Sequence, residues 1–140
     1  MNERIERLQS RLQADEVDAF LVTQNVDIYY FTGSMQAGYL LVPAEGEPIF
    51  YVRRSVSRAI SEASVRVEPL GSFRAFGERI AKDFPHLGRG KGSDGAGEQC
   101  CKIATEFDCL PVQLYHRLQK VIPQAGWTDG SVIVRELRML

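Results

Sequence analysis

Three glycines, Gly90, Gly92 and Gly95, fall in the G-x-G-x-x-G order that lets a backbone close on a dinucleotide pyrophosphate at a helix N-terminus. That chemistry needs a strand before the glycines and a helix after them. Here a helix stopped by Pro85 precedes them, and Glu98, Gln99 and a strand-like run follow, so the order fails and the stretch reads as a loop. Lys91 is followed by Gly92, where a P-loop requires Ser or Thr. A nucleophile would need a Ser or Cys beside an imidazole. His116 sits among polar Gln113, Arg117 and Lys120, and His86 follows a proline, both ordinary settings for solvated histidines. Cys100, Cys101 and Cys109 are odd in number and clustered, with no C-x-x-C among them, so they are expected to be thiols with neither a disulfide framework nor a metal.

Carboxylates offer the remaining chemistry. Asp15, Glu16, Asp18 and Asp27 gather around one short segment, but a two-metal centre draws on separated carboxylates that face inward. They are expected at helix ends and turns. Arg53 and Arg54 could bind a carboxylate, but a solvated strand end explains them better, because surface charges are the norm. The reading therefore assigns no catalytic, cofactor-binding or metal-ligating residue. Tyr29, Tyr30 and Phe31 form the densest aromatic cluster, expected to pack a small core, and the loop from Thr32 to Ala37 that follows is the segment best placed to reach a partner.

These residues need elements to hold them. Ile5, Leu8 and Leu12 lay an apolar stripe on a helix from about residue 3 to 15, and Val17 to Thr23 has the length and makeup of a buried strand. Asn25 to Gly33 reads as a short helix closed by glycine. Tyr39 to Val42 and Ile49 to Val52, separated by PAEGEP, predict an antiparallel hairpin. Ser55 is expected to cap a helix carrying Val56, Ala59, Ile60 and Ala63 on one face, with a brief strand at Val65 to Val67 ended by Pro69. Ser72 caps a helix with Phe73, Phe76, Ile80 and Phe84 on one face, stopped by Pro85 and slightly weakened by Gly77.

The glycine-rich stretch Gly88 to Gly97 predicts an exposed loop, and Cys100 to Thr105 a further strand. Pro111 suits the first turn of a helix carrying Leu114, Tyr115, Leu118, Val121 and Ile122. Trp127 and Thr128 fall where a last short strand fits, and Asp129 or Ser131 would cap a final helix with Ile133, Leu137 and Leu140 on one face. That helix is cut at Leu140, which looks like truncation. The sum is one α/β domain over residues 1–140, with a mixed sheet of five to six strands flanked by helices in a three-layer-like arrangement.

Seventeen basic and eighteen acidic side chains leave a formal charge of -1, which gives no field to steer nucleic acid or an anionic membrane. No run approaches the roughly 20 apolar residues of a membrane span, and charges occupy the opening segment where a signal peptide would be apolar. The expected compartment is the cytoplasm.

The order of pieces resembles the N-terminal domain of the creatinase, prolidase and aminopeptidase P family. Asp18 to Thr23 (DAFLVT) is similar to the family's D-A-x-L-V-T strand, and Asn25 to Gly33 (NVDIYYFTG) to its N-I-x-Y-x-T-G segment. Glu106 to Pro111 (EFDCLP) resembles its E-x-D-x-L-P lead into a helix, and Asp129 to Met139 (DGSVIVRELRM) the segment before its catalytic domain. The resemblance implies a ribonuclease H-like mixed sheet in a non-catalytic domain of an Xaa-Pro metallopeptidase. Its two metals, Mn, Co or Zn, would be held by two Asp, one His and two Glu in a C-terminal "pita-bread" domain absent from this chain. It further implies a homodimer, proline-containing peptides as the parent's substrates, and a loop toward the partner's active site, for which Thr32, Gly33, Ser34, Met35 and Gln36 are the candidates. The Gly88 to Gly97 stretch looks longer than the family's usual connection. Two other readings compete: a stand-alone interaction module of the same fold, and a small nucleotide-binding enzyme using Gly90 to Gly95.

Overall fold

The computed structural model describes residues 2–88 and 101–139. The opening apolar stripe becomes α1 (Glu3–Ala14), whose N-cap Asn2 accepts from the amides of Arg4 and Ile5 and whose Ile5, Leu8 and Leu12 are fully buried. It leads into β1 (Ala19–Val22), buried on both faces, and then α2 (Asn25–Thr32). The expected hairpin is β2 (Gly38–Pro43) against β3 (Ile49–Val52), antiparallel with Leu40 opposite Phe50. After it come α3 (Val56–Glu62), β4 (Arg66–Pro69), α4 (Phe73–Asp83) and the short α5 (Pro85–Gly88). The second half supplies β5 (Cys101–Thr105), α6 (Val112–Val121), β6 (Ala125–Asp129) and α7 (Ser131–Arg138).

The six strands form one mixed sheet in the order β4-β3-β2-β1-β5-β6. β1 pairs antiparallel with β2 and parallel with β5, while β3–β4 and β5–β6 are parallel. Strand side chains alternate between two cores, because successive residues point to opposite faces. Phe20, Val22, Leu40, Val42, Phe50 and Val52 meet α1, α2 and α7, whereas Leu21, Leu41, Ile49, Tyr51 and Ile103 meet α4 and α6. The fold is therefore the expected helix-flanked mixed sheet.

Several local expectations are corrected. Ser55 stands at the start of α3 in a left-handed conformation (φ 56°) and makes no side-chain cap, so α3 is held instead by Ala59, its one buried residue; Ile60 points to solvent. Pro85 opens α5 as well as ending α4, since a proline with no N–H to satisfy suits a first helical position. Pro111 stands one residue ahead of α6, as its N-cap. β4 does end on Pro69, as expected, and a proline there is tolerated because β4 is an edge strand. Gly77 has a packing role: a Cβ there would stand 2.4 Å from the Val121 carbonyl oxygen, so the glycine lets α4 lie directly on the end of α6. The Gly90, Gly92, Gly95 pattern, the glycine-rich stretch from Arg89 onward, Cys100 and Leu140 lie outside the described residues.

Candidate functional site

The loop after α2 is built by its own hydrogen bonds. Gly33 closes α2 at φ 84°, a left-handed conformation that glycine adopts at little cost, and its N–H donates to the Tyr29 carbonyl at 2.8 Å. The next amide, Ser34, donates to Thr32 Oγ1 (3.0 Å), and the amide of Gln36 donates to Ser34 Oγ (3.2 Å). Met35 N–H reaches across to Glu62 Oε1 at 3.3 Å, where the Ser34 hydroxyl (2.9 Å) and the Gln36 amide nitrogen (3.4 Å) also donate. Those bonds hold the Glu62 carboxyl below the usual carboxylate range, Ser34 contributing most. Thr32 and Ser34 are buried, yet Met35 is 75% exposed. Thus Thr32, Gly33, Ser34 and Gln36 form a fixed frame that turns Met35 outward.

A second cluster joins three elements that sequence spacing did not connect. Asp27 in the first turn of α2 is buried, and its Oδ1 accepts from Arg138 Nη1 at the end of α7 (3.0 Å). Glu106, just past β5, is buried beside it; no donor faces its Oε1, and the Asp27 carboxyl lies within hydrogen-bonding reach. Burial first, and then Asp27, push the Glu106 carboxyl up to about 9, so at neutral pH it carries its proton. Around it, Asp108 and Asp129 are both held below the usual range, chiefly by Ser131. Ser131 Oγ accepts from the Asp108 amide and donates to Asp129 Oδ1. This network fastens the C-terminal ends of β5 and β6 to α7.

Other candidates are dispersed. His86 and His116 are exposed and separate, as expected of solvated histidines. Asp15 is the C-cap of α1 and pairs with Arg11, while Asp18 accepts from the Lys102 amide. Arg53 is exposed and donates to the Tyr39 hydroxyl. Tyr30 serves the core, with its ring edge-on to Phe31, its hydroxyl donating to the Leu137 carbonyl, and the Arg4 guanidinium stacked over its face at 4.2 Å. Phe31 is fully buried, but Tyr29 is half exposed. The Cys101 thiol donates to the Leu87 carbonyl, and Cys109 is an exposed thiol. Among the described residues no three His, Cys, Asp or Glu side chains converge as a metal-holding group. No helix there is long and apolar enough to cross a membrane.

Residues 4–140 match the creatinase/prolidase N-terminal domain family. The chain belongs to that family. The prolidase structure from Pyrococcus horikoshii superposes with a TM-score of 0.76 at 20% identity, covering 99% of this chain and 35% of that one. The proline dipeptidase structure from Streptococcus pneumoniae superposes with a TM-score of 0.76 at 23% identity over 100% of this chain and 99% of its own. The N-terminal domain of the cytoplasmic peptidase PepQ from Mycobacterium tuberculosis does so with 0.76 at 21% identity, covering 99% and 100%. Likeness at this identity shows a shared fold. In sequence, the Xaa-Pro dipeptidase of Pyrococcus horikoshii is 26% identical over 70 residues, 49% of this chain and 20% of that protein, so the aligned stretch spans about a fifth of the relative's length.

Within this family domain, sequence reasoning placed Asp27 among helix-end and turn carboxylates, and it does lie in the first turn of α2, but its burial and its pairing with Arg138 were missed. The signal was present: the buried residues of α2 are Asp27, Ile28, Phe31 and Thr32, so the carboxylate shares the helix's apolar face at i, i+1, i+4 and i+5. Glu62 left no such mark, because an acidic residue at the end of an exposed helix is unremarkable until the loop it holds is seen.

Proposed function

We propose that this domain is the non-catalytic N-terminal part of an Xaa-Pro metallopeptidase, a dipeptidase or aminopeptidase P, that contributes to dimerisation and closes the substrate pocket of the partner subunit. The family match over residues 4–140 carries the reading, and the sequence likeness to an Xaa-Pro dipeptidase supports it. Among the described residues the side chains of the domain do not fit a pair of catalytic metals. Its buried carboxyl groups, Asp27 and Glu106, are engaged with Arg138 and with each other, and Asp15 and Asp18 are taken up by Arg11 and the Lys102 amide. In this reading two divalent cations, Mn, Co or Zn, and the proline-containing peptide belong to a catalytic domain following Leu140, in a cytoplasmic homodimer.

The domain's share of the work is closure. A wall from a second subunit limits substrate length and excludes water without supplying a ligand. The frame of Thr32, Gly33, Ser34 and Gln36 suits that task, because each backbone N–H from Gly33 to Gln36 is already satisfied and the loop has little left to reorganise on contact. The coding sequence beyond Leu140 tests the reading: a following domain with spaced Asp, Asp, His, Glu and Glu is expected, and a stop would favour a stand-alone interaction module. The purified chain, supplied with Mn, Co or Zn, is expected to leave Xaa-Pro dipeptides intact, and clear turnover would overturn the non-catalytic assignment.

A further inference from the structure

Arg53 and Arg54, which follow β3, and Arg117 on α6 are exposed guanidiniums with no carboxylate to answer them. Arg53 Nη2 donates to the Tyr39 hydroxyl at 3.3 Å, and the Arg117 guanidinium lies over the Phe73 ring, 5.5 Å from its centroid. Tyr39 and Phe73 are themselves neighbours, their ring centroids 5.9 Å apart, so arginines from distant parts of the chain rest on one aromatic pair. Exposed arginines are ordinary where acidic neighbours offset them. Here the acids of the flanking elements are turned elsewhere. Glu62 of α3 accepts from Ser34, Met35 and Gln36, Glu68 of β4 from Arg66 and Arg79, and Asp83 of α4 from the Tyr51 hydroxyl; Glu78 of α4 faces Arg74, and α6 carries no acid. Among the described residues, Arg53, Arg54 and Arg117 form no ion pair with a carboxylate.

The topology sets this cluster where an open α/β sheet gathers its ligands. β3 and β4 are parallel neighbours, with Val52 beside Pro69. From β3 the chain passes to α3 and the core that holds Ala59, and from β4 to α4 and the opposite core, which holds Phe76 and Ile80. Parallel strands whose following helices part to opposite faces leave a crevice outside their carboxyl ends. Arg53 and Arg54 are the first residues past β3, and Phe73, under Arg117, is the first residue of α4. The walls are held: the Arg53 N–H donates to the Ala37 carbonyl at 2.9 Å and the Leu70 N–H to the Val52 carbonyl at 2.8 Å.

We propose that Arg53 and Arg117, helped by the charge of Arg54, bind the phosphoryl group of a small ligand at this switch point. A guanidinium offers a planar fork of donors that matches phosphate oxygens, and an aromatic contact orients it while leaving most of those donors free. A dianion offsets this unanswered positive charge better than a single carboxylate does. The inference does not depend on the pocket-closing reading.

NMR shifts of the 140-residue chain, titrated with inorganic phosphate at low ionic strength and with potassium chloride at matched ionic strength, test it. Saturable shifts centred on Arg53, Arg54, Phe73 and Arg117 are expected with phosphate and not with chloride. R53Q and R117Q are each expected to weaken phosphate binding about tenfold, and R135Q, whose arginine already pairs with Asp108, to leave it unchanged. R117K, which keeps the charge and loses the fork, is expected to fall between R117Q and the parent chain. Phenyl phosphate binding more tightly than inorganic phosphate would assign the site to an organic phosphate ester, and equal binding to free phosphate. Acetate binding as tightly as phosphate, the same shifts in chloride, or an affinity indifferent to both R53Q and R117Q would overturn the proposal.

Discussion

Arg138 Nη1 stands 3.0 Å from Asp27 Oδ1, tying the last turn of α7 to the first turn of α2 across the face of the sheet. The two ends differ in their surroundings: the Asp27 side chain is 3% exposed and that of Arg138 44%. Removing the guanidinium leaves a carboxylate that water cannot reach, which is the costly way to break such a pair. Arg138→Leu is expected to lower stability by about 2 kcal/mol, less than for a fully buried pair because water already reaches the arginine. Urea unfolding of the two proteins checks this, and Arg138→Lys, which keeps the charge, is expected to lose less.

Glu106 sets a pH dependence of definite sign. Its carboxyl is raised in the folded protein from an ordinary value of 4.5 to about 9 by burial and by Asp27, so the folded state binds the proton more tightly than the unfolded chain. The stabilisation is fully present below pH about 4.5 and is lost as pH rises toward about 9. Asp108 and Asp129, held low by Ser131, act with the opposite sign and in the acid range, so the window from about pH 5 to 9 isolates Glu106. Glu106→Gln is expected to flatten the stability profile across this window and to exceed the parent by about 1–2 kcal/mol at its alkaline end. A profile as steep as the parent's would show that the burial does not bind a proton.

How far the sequence could foretell this molecule depended on the range of the signal. Stripes such as Ile5, Leu8 and Leu12 report which side of a helix faces a core, a short apolar run such as Tyr39 to Val42 reports a strand buried on both faces, and those elements formed where expected. The mixed sheet followed from their order, and the family resemblance was legible in DAFLVT and EFDCLP. The loop of Thr32 to Gln36 was identified as a segment, but its anchor was not, since Glu62 meets it only through tertiary packing. Asp27, Glu106 and Arg138 lie up to 111 residues apart in the chain, and no local period relates them. Ser55 failed as a cap for the opposite reason: residue type favoured capping, and a left-handed backbone turned the hydroxyl away from it.

Gly77 separates local propensity from packing. On propensity alone, alanine in the interior of α4 should add up to about 1 kcal/mol of stability. The structure places the new methyl 2.4 Å from the Val121 carbonyl oxygen and 2.9 Å from the Val121 Cβ, and a backbone carbonyl cannot step aside as a side chain would. Overpacking of this kind costs about 1–3 kcal/mol, so Gly77→Ala is expected to be net destabilising by about 1–2 kcal/mol. A higher thermal midpoint for the variant would mean that α4 and α6 do not lie as close as described.

Cys109 is exposed by area and yet is expected to be a sluggish thiol. Partial burial of its sulfur comes first among the causes that push the thiol up to about 12, followed by the hydrogen bond with Asp108 and the charge on neighbouring carboxyl groups. The Cys109 Sγ–H also points at the Glu106 carbonyl oxygen, 3.8 Å away, which favours the protonated form. Since the thiolate is the nucleophile, alkylation of Cys109 by iodoacetamide at pH 8 is expected to be at least about tenfold slower than that of an unperturbed cysteine in a short peptide. Peptide mass spectrometry distinguishes Cys109 from Cys100 and Cys101. Asp108→Asn removes one of the negative groups and should speed the reaction; a rate that does not respond would show that Asp108 does not hold the thiol back.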